Sequence, residues 1–235
     1  MNWIGAFFIL LIGIGLLEGL YRGFLHSAIN LGAFFLSLFT SYFLYPVVST
    51  AVKANDTIFK FLVYYTEGSE KILNFKDTQL LVDTMSPEKL KSIVSASALY
   101  EPYPTLIEQN VAAKAFAAEG YTTIGEYYNM TIVCTVLNIL SFLAVFILAR
   151  IVYTFVLGMV GYTVKFPELK QYDRSVGALF GAARGVLACF IVVTAVPVIL
   201  LILPVEQVSE YFFDSAIGSF FFDNNFFLHL IRGTV

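Results

Sequence analysis

Three ionisable residues, Glu18, Arg150 and Arg184, stand inside long apolar runs, with Arg22, Asp173 and Arg174 at the edges of those runs. In hydrocarbon a lone charge is costly, so each needs a counter-charge, water or a lipid headgroup. Glu18 and Asp173 against Arg22, Arg150 and Arg184 can do two kinds of chemistry. They can tie helices together as ion pairs, or they can bind an anion such as a phosphate or carboxylate. Glu18 precedes Arg22 by four residues, the favourable orientation for a pair on one helix. Arg22 and Arg174 are near enough to the ends of their runs to snorkel to lipid phosphates. Arg150 and Arg184 lie about 15–20 Å along a helix from the basic turn at 165–174. That distance favours a buried pair or a wet cleft over snorkelling.

Around these charges runs a second pattern. Gly177, Gly181 and Gly185 are spaced four apart, so one strip of a helix there has no side chains. Gly15, Gly19 and Gly23 repeat the spacing. Small residues at this interval let two helix backbones approach closely in a membrane. The contact is within the chain or between copies, and packing within one chain is the simpler reading. Residues 15–25 and 177–187 match at six of eleven positions, including all three glycines and Arg22 with Arg184. Chance explains such a match in apolar sequence about as well as a repeat does. If it is a repeat, two hairpins of like orientation each carry the glycines and the arginine at the cytoplasmic end.

The elements that must position these residues follow from composition. The 235 residues are 58% hydrophobic and only 13% charged, and mean hydropathy is +0.79. A soluble domain carries about 25% charged residues, so the chain reads as a membrane protein with the lipid bilayer as its first partner. A net charge of −3 gives no footprint for nucleic acid. Four runs are long enough to cross about 30 Å of hydrocarbon, near 3–20, 24–48, 130–164 and 175–203. The first has no basic residue before Arg22, so it reads as a retained span rather than a signal peptide. Pro197 falls inside the fourth.

The predicted fold is all-α, with four transmembrane helices in two hairpins. Residues 1–52 are the first hairpin, 53–129 a helical extracytoplasmic insert, 130–204 the second hairpin and 205–235 an interfacial amphipathic tail. The insert holds seven Lys and ten Asp or Glu. Ser86-Pro87-Glu88 reads as an N-cap with proline at the first helical position. Thr105 with Glu108 reads as a capping box opening a helix over 106–119, which Gly120 stops. The tail mixes acids with seven phenylalanines, too charged to span and too aromatic for a solvated coil. Arg22 after the first span and Lys165, Lys170 and Arg174 after the third put both turns in the cytoplasm. The termini and the insert are then outside.

Other chemistry is not written in the chain. Cys134 and Cys189 lie in apolar runs and read as buried thiols, and His26 and His229 have no ligand partners at metal spacing. No phosphate loop, nucleophile elbow or dinucleotide fingerprint occurs. No cofactor, metal or enzymatic activity is expected.

Trp3, Arg22-Gly23-Phe24, and Asp173-Arg174 followed by Gly177, Gly181, Arg184 and Gly185 resemble the bacterial colicin V production protein family. The long insert departs from the family pattern, and His26-Ser27 stands where members often carry a basic residue or glutamate. The resemblance implies a multi-pass protein of the bacterial inner membrane, linked to toxin production or export and to envelope homeostasis. The leading expectation is a non-enzymatic scaffold with a membrane or extracytoplasmic protein partner, a homo-oligomer staying open. The glycines would be its packing face. The alternative is a small-solute or peptide transporter or channel, with Arg150 and Arg184 lining a cleft and Glu18 as counter-charge.

Overall fold

The computed structural model describes residues 2–163, 173–203 and 206–235. The turn with Lys165 and Lys170, and Pro204, lie outside them. Every regular element among the described residues is helical, and the one extended pairing is an isolated bridge between Leu81 and Thr123. The order is α1 (Trp3–Lys53), α2 (Asp56–Thr66), α3 (Phe75–Thr78), α4 (Pro87–Ala96), α5 (Tyr103–Ala112), α6 (Ile124–Thr163), α7 (Asp173–Thr194), α8 (Val196–Ile202), α9 (Glu206–Phe213), α10 (Ala216–Asp223) and α11 (Phe226–His229), with short 3-10 turns between some of them. Three stretches are long and apolar enough to cross a membrane: Trp3–Lys53, Ile124–Met159 and Asp173–Ile202.

The first two expected spans are thus one run of helix, and Gly23 interrupts it. Its φ of 76° and ψ of 177° are non-helical, and an L side chain rarely adopts that φ. The break divides α1 into arms at 3–22 and 24–53. The fourth expected span is also interrupted. Pro197 has no amide hydrogen to give to the carbonyl of Val193, and the helix breaks at Ala195 between α7 and α8. Asn225 braces this break by donating to the Phe190 carbonyl at 3.1 Å and to Thr194 Oγ1 at 3.2 Å.

The chain forms two compact units. The first comprises Met1–Leu44, Phe142–Val196 and Val205–Phe227. Its first α1 arm lies against α7, and its second arm meets α6 through Phe34 on Phe146 and Ser41 on the Phe142 carbonyl. The tail packs in. Phe221 touches Phe8 and Phe190, and Phe212, Phe221, Phe222 and Phe227 are all buried. Those phenylalanines form core, which is why the tail carries so many of them.

The second unit comprises Tyr45–Ser141, Pro197–Pro204 and Leu228–Val235. The start of α6 is its centre, with Ile124, Tyr128, Ile132, Val133, Cys134 and Val136 all fully buried. Ser86 caps α4 as its sequence predicts, accepting from Lys89 N at 3.2 Å, with Pro87 at the first position. The expected helix over 106–119 is different in extent. It runs from Tyr103 to Ala112 and stops where Lys114 takes φ 50°, and a 3-10 turn follows to Gly120 at φ 90°. Thr105 is inside it and donates to Glu101 Oε1 rather than capping. A capping box does open α6. Glu126 accepts from the amides of Thr122 and Thr123, and Thr123 Oγ1 accepts from Glu126 N. The Asn110 and Asn138 side chains hold the carbonyls of Gly233, Arg232 and Thr234.

Candidate functional site

The two glycine ladders face each other inside the first unit. Gly15 opposes Gly181 and Gly19 opposes Gly177, with the first arm of α1 and α7 running antiparallel. A Cβ added to Gly177 would stand 2.5 Å from the Gly19 carbonyl oxygen. One added to Gly185 would stand 2.8 Å from Ile12 Cα. Cβ atoms on Gly15, Gly19 and Gly181 would likewise strike opposing backbone. Backbone therefore lies on backbone along the seam, and no larger residue fits. By contrast Gly13, Gly32 and Gly158 have open space where a Cβ would go.

This geometry corrects the reading of the sequence echo as a parallel repeat. Residues 15–25 and 177–187 run in opposite directions against each other. Exchanging equivalent residues turns the pair Gly15–Gly181 into Gly177–Gly19, which is also a contact. The seam is thus pseudo-symmetric about a local two-fold, the internal counterpart of an isologous interface.

Charges bridge the two helices of the seam. Arg184 is bonded to Glu18, and the same carboxylate takes Arg22 Nε at 3.4 Å. Side-chain exposure falls from 55% at Arg22 through 32% at Glu18 to 16% at Arg184. Arg184 is thus the least exposed of the three. Arg22 Nη1 is also 2.6 Å from His26 Nε2. Arg150 is not bonded to this carboxylate. It donates to the Asn30 carbonyl at 3.3 Å and lies over the Phe34 ring at 5.9 Å from its centroid.

Asp173 serves a different end. As the first residue of α7 it accepts from Phe24 N at 2.8 Å. That amide opens the second arm of α1, and the Gly23 break has taken its helical partner away. A carboxylate at a helix start satisfies a free amide and suits the positive end of the dipole. The same carboxylate fills the space where a Gly23 Cβ would be. Arg174 is exposed.

Of the residues singled out from sequence, the structure brings together Gly15, Gly19, Gly23, Gly177, Gly181, Gly185, Glu18, Arg22, Asp173 and Arg184. Arg150 is held by other groups, and Arg174 faces outward. The sequence does not outright mark His26, Asn30 and Phe34 as the partners they are. His26 sits four residues after Arg22, a helical spacing that points to it. Nothing local marks Asn30, because it contributes a backbone carbonyl. No cluster of His, Cys, Asp or Glu suited to a metal occurs among the described residues, and Cys134 and Cys189 are free and buried.

Long apolar helices, one glycine-on-glycine seam and a paired charge cluster define an all-α membrane protein. Residues 90–224 match the model of the colicin V production protein family, and the chain belongs to that family. The matched range takes in 173–187, the segment that carries the seam's second ladder, and begins beyond the first arm. No curated protein and no solved structure matches the chain.

Proposed function

We propose that the chain is a four-span protein of the bacterial inner membrane, built as two hairpins, that acts as a non-enzymatic scaffold for a partner in toxin production or export or in envelope homeostasis. The observation that carries the reading is the glycine seam with Glu18 and Arg184 paired across it. Such a seam makes a rigid platform. Glu18 offsets the charge of Arg184, the less exposed arginine, and the trio keeps one net positive charge on the side of Arg22.

Ring contacts support the hairpin arrangement. From Phe8, contacts of 4.0–6.2 Å lead through Phe221, Phe190, Phe226 and Phe227 to Phe142, whose carbonyl accepts from Ser41. A straight helix would separate residues 8 and 41 by ~50 Å, more than these few steps can bridge. A first arm and a second arm that double back at Gly23 satisfy them. Basic residues in the two turns then favour a cytoplasmic turn end, with the termini and 53–129 outside.

The transport alternative rests on Arg22, which is half exposed beside Glu18, and on Arg150, which among the described residues donates to the Asn30 carbonyl rather than to a carboxylate. The experiment compares Gly181→Leu with Gly13→Leu. The scaffold reading expects Gly181→Leu to abolish accumulation and partner capture from crosslinked membranes, while Gly13→Leu keeps both. A Gly181→Leu protein that accumulates and functions like wild type contradicts it. Solute flux in proteoliposomes, lost in Arg184→Gln and kept in Gly13→Leu, would move the assignment to transport.

A further inference from the structure

α2 is apolar over most of its circumference, with Asp56, Thr57 and Lys60 on one exposed stripe. Phe59, Leu62, Val63 and Thr66 turn toward the protein, while Ile58, Phe61, Tyr64 and Tyr65 are exposed, Tyr64 by 74%. The outer rings touch one another, with Phe61 and Tyr65 centroids 4.5 Å apart and Tyr64 and Tyr65 5.4 Å apart. The outer face carries few charges, and Lys60 and Asp56 pair with each other at 3.6 Å. Leu73 and Phe75, in the segment that follows, are exposed as well, Phe75 by 78%. Protein covers only half of this apolar surface, and a helix with an uncovered apolar face beside a polar stripe suits a membrane–water boundary.

We propose that the outer face of α2, with Leu73 and Phe75, lies in the interface of the lipid bilayer, an inference that rests on α1 spanning the membrane. Two observations select lipid over a protein partner. First, α2 starts three residues after α1 ends at Lys53, capped by Asn55, so a spanning helix delivers it beside a membrane surface. Second, the side chains are those of a membrane–water boundary: tyrosines with polar tips, phenylalanines, and lysines at 60, 71 and 76 able to reach headgroups. A helix in this position buries its apolar face about 5–10 Å into the headgroup and acyl boundary. The insert would then be fixed to the outer leaflet along a line rather than hung from its two ends.

The chain has one tryptophan, Trp3, so Trp3→Phe gives a silent background. Phe61→Trp in that background, in the full chain reconstituted into phosphatidylcholine and phosphatidylglycerol vesicles, reports the environment. The expected result is blue-shifted emission, strong quenching by lipids brominated high on the acyl chain, weaker quenching by bromine near the chain end, and little quenching by iodide. Tyr64→Trp is a second reporter should the first variant fold poorly. Strong iodide quenching without bromolipid quenching would place the face in water and overturn the proposal. Protection from both quenchers would mean that protein covers it, a second copy included, and would overturn the proposal equally.

Discussion

At the scale of single residues, Glu18 is the side chain on which most depends. It is the shared acceptor of Arg22 and Arg184, and Arg184 is its less exposed partner. Glu18→Gln leaves a poorly solvated guanidinium without its counter-charge. A lost hydrogen bond to a charged group costs about 1.5–3 kcal/mol, so thermal unfolding in detergent should fall by several degrees. In a double-mutant cycle with Arg184→Gln, the second change should cost much less than it does alone, because the two share one interaction. Additive losses would show that the pair is not coupled. Gly23→Ala tests the break in α1. The left-handed φ of 76° and the Asp173 carboxylate at the Cβ position both oppose it, and strain of this kind costs about 1–3 kcal/mol. Gly32→Ala, at a site with open space and no special backbone, should be neutral or stabilising.

Helix-scale legibility varied with how local the cause is. Ser86 and Pro87 announce α4 because a cap acts on amides two and three residues away. The same logic applies to Thr123 and Glu126, whose threonine-to-glutamate spacing is a capping box in plain sight at the start of α6. Thr105 and Glu108 have the same spacing without the same structure, because Pro102 and Pro104 had already set the start of α5 upstream. Thr123→Ala should therefore lower stability by about 1 kcal/mol, and Thr105→Ala by markedly less, read by thermal unfolding of the two variants side by side. The glycine ladders were visible as stripes, but which stripe met which was not, since four-residue spacing fixes a face and says nothing of its partner. The antiparallel pairing of Gly15 with Gly181 and Gly19 with Gly177 comes from topology. Arg150 was equally illegible, because its partners are a backbone carbonyl and a ring face that carry no charge signature.

For the whole molecule, composition was enough to read an all-α membrane protein, and three long apolar helices and the family match agree with it. The tail's mix of acids and phenylalanines predicts an interfacial segment, whereas four of its phenylalanines are core. Sequence alone does not distinguish a ring that meets lipid from one that meets another helix, since both surroundings are apolar. The arrangement of the spans depends on Gly23, where two hairpins require the arms of α1 to double back. Spin labels at Phe7→Cys and Phe43→Cys, both exposed positions on opposite arms, measure this directly in vesicles once Cys134 and Cys189 are replaced by alanine. Two hairpins joined by the glycine seam predict a label separation below ~30 Å, since the sites are then at one level of a helix bundle. A separation near 54 Å, the span of about 36 residues of unbroken helix, would contradict the account.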